Sequence, residues 1–286
     1  MKKFLLLSLI FFSQGIVAMA ETVTTIHVVA AENFYGDVSN QLGKPYVEVT
    51  SIINNVSQDP HTFSINPRIA ITIDRADIII ENGLGYDAWM SHFYTKASLI
   101  NVGNLMHKKV GMNPHIWYDP KTMPVLARAF VKELIKCDPA HKQHYQKNLK
   151  SFLRQARHYQ SVIRKDREKF GWSEKNNKEF ITATEPIANY LTDALGLNML
   201  NKKFQQDVMN GSDLTPAEIM QFEQSLKNVK LFIYNQQVID PTVINLKNLA
   251  IKNNVPVVGV SELMPANTHY YAWMSQTLRA IESALV

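Results

Sequence analysis

Four side chains have the types and the placement that metal chemistry uses. His61 follows an Asp-Pro pair and His115 an Asn-Pro pair, while Glu185 and Glu262 each come closely after a short apolar run. Two neutral imidazole nitrogens and two carboxylates form a mixed N/O ligand set that suits a divalent first-row metal. Taken singly, a loop histidine is more often simply hydrogen-bonded, and a glutamate often caps a helix. Only the convergence of the four would make a site.

Prolines flank three of these residues and restrict the backbone there. Pro60 and Pro114 bias the residues before them to extended backbone and stiffen the loops that carry the histidines. Pro186 fits the first turn of a helix, so the preceding carboxylate of Glu185 is expected near a helix N-terminus.

The elements that must position these residues are strands alternating with helices. The predicted strands are 25–30, 46–52, 77–80, 99–102, 179–183, 230–234 and 256–260. The predicted helices are 34–42, 66–75, 85–95, 121–136, 186–195, 215–227, 241–253 and 268–285. This alternation predicts an α/β fold with parallel sheets covered by helices on both faces.

Loops at the carboxyl ends of parallel strands converge on a crevice, where open α/β sheets bind ligands. Each candidate residue follows a predicted strand: His61 after 46–52, His115 after 99–102 and a short loop, Glu185 after 179–183, and Glu262 after 256–260. Two come from each half of the chain. We therefore predict that they meet in one cleft.

Residues 138–170 break the alternation with one long helical pattern. Apolar side chains recur there at three- and four-residue steps, at Tyr145, Leu149, Phe152, Ala156, Tyr159 and Ile163. A helix of this length would be roughly 45 Å long. We predict that it is a spine joining two α/β lobes of similar size, residues 21–137 and 171–286.

Charge and composition narrow the class of protein. The chain has 286 residues, 46% of them hydrophobic and 19% charged, which is typical of a globular protein. Its net charge is +5, but residues 138–170 alone hold nine Lys or Arg and three Asp or Glu. Such a run indicates a solvated helix face, so we expect no nucleic-acid partner.

The chain has one cysteine, Cys137, which excludes a disulfide framework and a cysteine zinc cluster.

Residues 1–20 have the pattern of a cleavable signal peptide. Lys2 and Lys3 precede an apolar stretch over 4–12 that is too short to span a membrane, and Ala-Met-Ala ends at Ala20. We expect cleavage there and a periplasmic protein. With no cysteine near the cleavage site, we expect no lipid anchor.

With these motifs in this order, the chain resembles the bacterial zinc/manganese solute-binding proteins of metal ABC importers, the ZnuA/TroA-like family. The resemblance covers nearly all of the chain after residue 20, and D-P-H followed by P-H-x-W-x-D-P is its specific part. The motifs that carry it lie at residues 30–37, 59–61, 76–83, 114–120, 185–191, 234–237 and 256–262.

The resemblance implies that one divalent metal ion, Zn²⁺ or Mn²⁺, is carried between the lobes as cargo. It places ligands at His61 and His115. The third position, usually histidine in zinc-type members, matches Glu185, as in manganese-type members. Glu262 matches the fourth position, with Asp240 as the fallback and a water molecule as the remaining alternative. The metal stays open at this point, because zinc binds most N/O sites more tightly than manganese.

The leading hypothesis is a binding protein, not an enzyme, that hands its metal to the permease of an ABC importer. We expect a monomer. A receptor for an organic or metal-chelate ligand is the alternative and would need a large apolar pocket. A secreted metallohydrolase is less favoured, because a catalytic metal keeps an open position and no H-E-x-x-H motif is present.

Overall fold

The structure, a computed structural model, describes residues 25–55, 63–93, 96–172, 179–238 and 241–286. Its strands are β1 (Ile26–Glu32), β2 (Val47–Ile53), β3 (Ile78–Glu81), β4 (Ser98–Asn101), β5 (Phe180–Ala183), β6 (Asn198–Met199), β7 (Leu231–Asn235) and β8 (Val257–Val260). They form two four-stranded sheets in which all the paired strands are parallel. The predicted fold class is confirmed.

Helices cover both sheets. They are α1 (Asn33–Gly43), α2 (Pro67–Asp74), α3 (Val102–Leu105), α4 (Thr122–Cys137), α5 (Lys142–Lys169), α6 (Asn189–Leu195), α7 (Lys202–Met209), α8 (Pro216–Ser225), α9 (Pro241–Lys252) and α10 (Tyr270–Leu285). None of the helices in the described ranges combines the length and hydropathy that crossing a membrane requires.

The two sheets repeat one topology. The strand order is β2-β1-β3-β4 in the first lobe and β6-β5-β7-β8 in the second, so β1 and β5 occupy equivalent places, as do β3 and β7. The central strands β1, β3, β5 and β7 are mostly buried because most of their residues are apolar on both faces. The carboxyl ends of these strands are therefore the edges at which loops from each lobe can meet.

The long helix α5 joins the lobes, as predicted. The sequence pattern predicts one helix over 138–170. In the structure a 3₁₀ turn, Pro139–His141, comes first, and the α-helix α5 follows it. Its apolar stripe is buried at Tyr145, Phe152, Ala156, Tyr159 and Ile163. The helix packs against α1 and α4 of the first lobe and against α6 and α10 of the second.

One predicted helix is wrong, and three elements have no counterpart in the sequence prediction. A helix is predicted over 85–95, but in the described part of that range, 85–93, the helical segment is the 3₁₀ helix Ala88–His92. The chain before it turns through positive φ at Gly83, Leu84 and Gly85, which a helix does not permit. The two-residue strand β6, the four-residue helix α3 and the largely polar helix α7 have no periodic pattern long enough to recognise.

Candidate metal centre

The second lobe brings Glu185 and Glu262 together at the ends of its strands. Glu185 lies two residues beyond β5 and Glu262 two residues beyond β8, and both are buried. Asn235, the last residue of β7, lies between them, because β7 pairs with both of those strands. Its Nδ2 donates to Glu185 Oε2 at 3.2 Å and to Glu262 Oε1 at 2.7 Å. One buried amide therefore holds both carboxylates.

The loop after β7 fixes the backbone that carries Glu262. The side-chain oxygen of Gln237 accepts the backbone N–H groups of Glu262 at 2.5 Å and Leu263 at 3.1 Å. The backbone N–H of Gln237 in turn donates to Asn235 Oδ1 at 3.0 Å. Asn235 and Gln237 thus orient the carboxylate from its side chain and from its main chain.

The first lobe supplies His115, whose ring is fully buried. Its Nδ1 lies 2.7 Å from Asn113 Oδ1, and its backbone N–H donates to the same oxygen at 3.0 Å. Because that amide oxygen can only accept, Nδ1 of the neutral ring carries the proton and Nε2 keeps its lone pair. This is the tautomer that a metal ligand needs.

Asn113 also connects His115 to the opposite lobe. Its Nδ2 donates to the carbonyl of Pro186 at 2.6 Å, directly after Glu185, and its own carbonyl accepts the Tyr190 hydroxyl at 2.9 Å. The side chain that orients the imidazole is therefore bonded to the loop that carries a carboxylate. The two halves of the candidate site are mechanically linked through it.

Tyr86 of the first lobe contacts candidate ligands from both lobes. Its hydroxyl donates to Glu262 Oε2 at 2.6 Å, and its ring centroid lies 6.1 Å from that of His115. Burial, followed by the charge of Glu262, raises the pKa of Tyr86 well above its usual range. The hydroxyl therefore stays protonated and acts as a donor to the carboxylate.

Two further acids of the first lobe lie in this region. Burial raises the pKa of Asp87 to about 7, although its carboxylate accepts the backbone N–H groups of Asn82 and Gly83. Burial also raises the pKa of Glu32 well above its usual range, and the charges of Asp87, Glu81 and Glu262 add to that effect. The region is rich in buried carboxyl groups and therefore suited to a cation.

Two of the predicted ligand positions, His61 and the fallback Asp240, lie outside the described residues. Within the described ranges, no three His, Cys, Asp or Glu side chains stand close enough together to hold a metal ion by themselves. A cleft of about 650 Å³ opens beside Glu185, Asn235 and Glu262. Sequence reasoning assigned no role to Asn235, Tyr86, Asn113 or Glu32.

Two parallel-sheet lobes joined by one long helix, with candidate ligands just beyond the strand ends, form the architecture of this chain, and the family model assigns that architecture to solute-binding proteins. The chain belongs to the family described as "Zinc-uptake complex component A periplasmic", which matches residues 28–284. The resemblance seen in the motifs is thereby confirmed. Proteins of this family are substrate-binding components of ABC transporters, and this chain is such a component, not an enzyme.

Relatives and solved structures cover nearly the whole chain. The manganese ABC transporter substrate-binding lipoprotein PsaA of Streptococcus anginosus is 23% identical over 285 residues, covering 91% of this chain and 89% of its own. The iron ABC transporter substrate-binding lipoprotein MtsA of Streptococcus pyogenes is 22% identical over 283 residues, with the same coverage. The periplasmic zinc-binding protein TroA of Treponema pallidum superposes with a TM-score of 0.76 at 16% identity, over 92% of this chain and 99% of its own. That structural likeness shows the fold.

Proposed function

We propose that this protein captures one divalent transition metal ion, Zn²⁺ or Mn²⁺, between its lobes and delivers it to the membrane permease of an ABC importer. The observation that carries the proposal is the buried pair Glu185 and Glu262, held by one amide opposite the oriented imidazole of His115. The proposed ligands are His61, His115, Glu185 and Glu262. The first of them rests on the sequence motif alone.

The donor set bears on which metal is carried. Two carboxylates and two imidazoles are acceptable to manganese, iron and zinc, and carboxylates favour the harder of these ions. The relatives named above are called manganese, iron and zinc proteins, so proteins with this fold that are 16–23% identical to the chain differ in the metal they are named for. We propose zinc or manganese, and selectivity would come from the geometry of the site and from metal supply.

Capture and release follow from the links between the lobes. Because α5 packs on both lobes, we expect a small tilt between them and not a wide hinge. The bound metal would order the loops around Glu185 and Glu262, and the permease would recognise that ordered surface. Docking that pulls the two lobes' ligands apart would release the ion.

The protein is proposed to act outside the cytoplasm as a periplasmic monomer. Residues 1–20 have the pattern of a signal peptide, and they lie outside the described residues. Two of the relatives above are named lipoproteins. Here the one cysteine, Cys137, is the last residue of α4, so we propose a protein without a lipid anchor.

The test is metal content after competition. Metal-free protein is reloaded with an equimolar mixture of zinc, manganese and iron and measured by elemental mass spectrometry. We expect close to one equivalent of one metal, lost in His61→Ala and in His115→Ala. His141→Ala is the matched control, because its imidazole is bonded to Asp138 at 2.6 Å and stacks on Tyr46. Wild-type protein that retains no metal would refute the proposal.

A further inference from the structure

Glu32 is a buried carboxyl group without a structural use in the metal-free molecule. It is the last residue of β1, its side chain is fully buried, and neither carboxyl oxygen has a hydrogen-bond partner within the described part of the chain. It precedes α1 but makes no side-chain cap to that helix. Burying such a group without a partner costs stability, and an apolar side chain would cost less. The residue therefore needs another explanation.

The repeated topology gives Glu32 and Glu185 the same place in their two lobes. Ala30 of β1 pairs with Ile80 of β3, and Ala183 of β5 pairs with Ile233 of β7. If each register is continued by two residues, Glu32 lies beside Asn82 in the first lobe and Glu185 lies beside Asn235 in the second. Each lobe thus has a buried glutamate and a buried asparagine at the carboxyl ends of its central strands.

The two asparagines are used differently. Asn235 donates to the glutamate of its own lobe, as described above. The Nδ2 of Asn82 instead donates to the carbonyls of Pro114 at 3.0 Å and Gly83 at 3.2 Å, and its Oδ1 accepts the Tyr35 hydroxyl at 2.7 Å. Glu32 is therefore left without the donor that its counterpart has. Both of its oxygens remain available to a cation.

Glu32 also lies next to the loop that carries Glu262. The neighbouring residue, Asn33, exchanges two hydrogen bonds with the backbone of Met264: its Nδ2 donates to the carbonyl at 2.7 Å, and its Oδ1 accepts the N–H at 3.0 Å. Met264 is two residues beyond Glu262. The carboxyl end of β1 is thus fastened across the lobes to the loop that supplies a proposed ligand, and the charge of Glu262 acts on Glu32.

We propose that Glu32 is a further ligand of the captured cation, a carboxylate supplied by the first lobe. This inference rests on the proposed function, because the cargo is the cation it would bind. Among the described residues, the candidate ligands do not stand close enough together to hold an ion, so a bound ion would draw Glu32 and Glu262 toward each other. A third carboxylate makes the site richer in oxygen, which favours Mn²⁺ relative to Zn²⁺.

The test compares Mn²⁺ and Zn²⁺ affinities of the metal-free protein, by direct titration and by competition with a chromophoric chelator. Glu32→Gln should weaken Mn²⁺ binding by at least about tenfold and Zn²⁺ binding by a smaller factor. Glu81→Gln is the matched control. It makes the same charge change at the end of β3, but that carboxylate is bonded to Asn101 Nδ2 at 2.6 Å. The control should keep both affinities close to those of wild type.

The outcomes separate the two proposals. Equal Mn²⁺ affinity in Glu32→Gln and wild type would overturn this inference and leave the proposed function standing, whereas wild-type protein that binds neither metal would overturn the function itself. An equal loss in Glu81→Gln would mean that general charge, not ligation, sets the affinity, and it would also overturn the inference. Glu32→Met fills the same space without polar atoms. When metal-free, this variant should unfold at a urea concentration no lower than that of wild type. It should lose as much Mn²⁺ affinity as Glu32→Gln.

Discussion

Replacing Asn235 with alanine removes the one amide that holds both carboxylates of the second lobe. Asn235, Glu185 and Glu262 are all buried, so solvent does not screen these contacts. A hydrogen bond to a charged group contributes about 1.5–3 kcal/mol, and the 3.2 Å bond to Glu185 is the weaker of the two. We expect the free energy of unfolding of the metal-free protein to fall by about 2–4 kcal/mol.

The same substitution should weaken metal binding. Without the amide, Glu185 and Glu262 lose their shared donor, and although Tyr86 still donates to Glu262, more of their orientation must come from the metal. Loss of a residue that orients ligands typically costs about 10–100-fold in affinity. Urea unfolding of the metal-free protein measures the first effect, and isothermal titration with Zn²⁺ and with Mn²⁺ measures the second.

Asn253→Ala is the control for Asn235→Ala. Its amide bonds the carbonyl of Leu249 at 2.8 Å on an exposed surface, and its loss should change the free energy of unfolding by no more than about 0.5 kcal/mol. If Asn235→Ala were as stable as wild type and bound metal as tightly, the amide would not position the carboxylates. Asn235 would then not be the residue that holds Glu185 and Glu262 in place for the metal.

Three further predictions test other parts of the molecule. Asn33→Ala removes both bonds to Met264 and should lower the free energy of unfolding by about 1–2 kcal/mol in urea titrations; an unchanged midpoint would contradict this link between the lobes. Metal affinity should fall as the pH drops below about 6.5, since imidazoles must be neutral to bind, and equal affinities in titrations at pH 7.5 and 5 would argue against histidine ligands. Burial and, as the second cause, the neighbouring carboxyl group of Asp166 raise the pKa of Glu282 to about 7. The stability that Glu282 contributes is therefore complete below the ordinary pKa of glutamate and is lost as the pH rises through 7. Glu282→Gln, whose amide can donate to Asp166 at any pH, should flatten that loss in urea midpoints between pH 5 and 8; a loss as steep as that of wild type would refute it.

The strands and the long helix could be predicted because their signals are local. Short β-branched runs fall within one or two residues of β1 to β5, β7 and β8, and the apolar stripe of α5 is buried as expected. The placement of Glu185 and Glu262 followed from one rule, that polar residues just beyond parallel strands face a common crevice. Both carboxylates do lie together in the structure.

The residues that support the site could not be predicted in the same way. Asn235 ends a strand, and only the pairing of β7 with both β5 and β8 shows that it bridges two carboxylates. Glu32 follows an apolar run and precedes a helix, a position that by itself indicates no ligand; its burial and its match to Glu185 depend on register across two sheets. Tyr86 and Asn113 act across the lobes, a relation that no sequence spacing encodes.

The central claim is that a divalent metal ion binds between the lobes on ligands from both. Anomalous diffraction from crystals of the zinc-loaded protein tests it most directly. We expect one strong peak between the lobes, within about 2.0–2.2 Å of His115 Nε2 and of carboxylate oxygens of Glu185 and Glu262. A zinc-loaded crystal with no peak there, or with its strongest peak bound elsewhere, would contradict the claim.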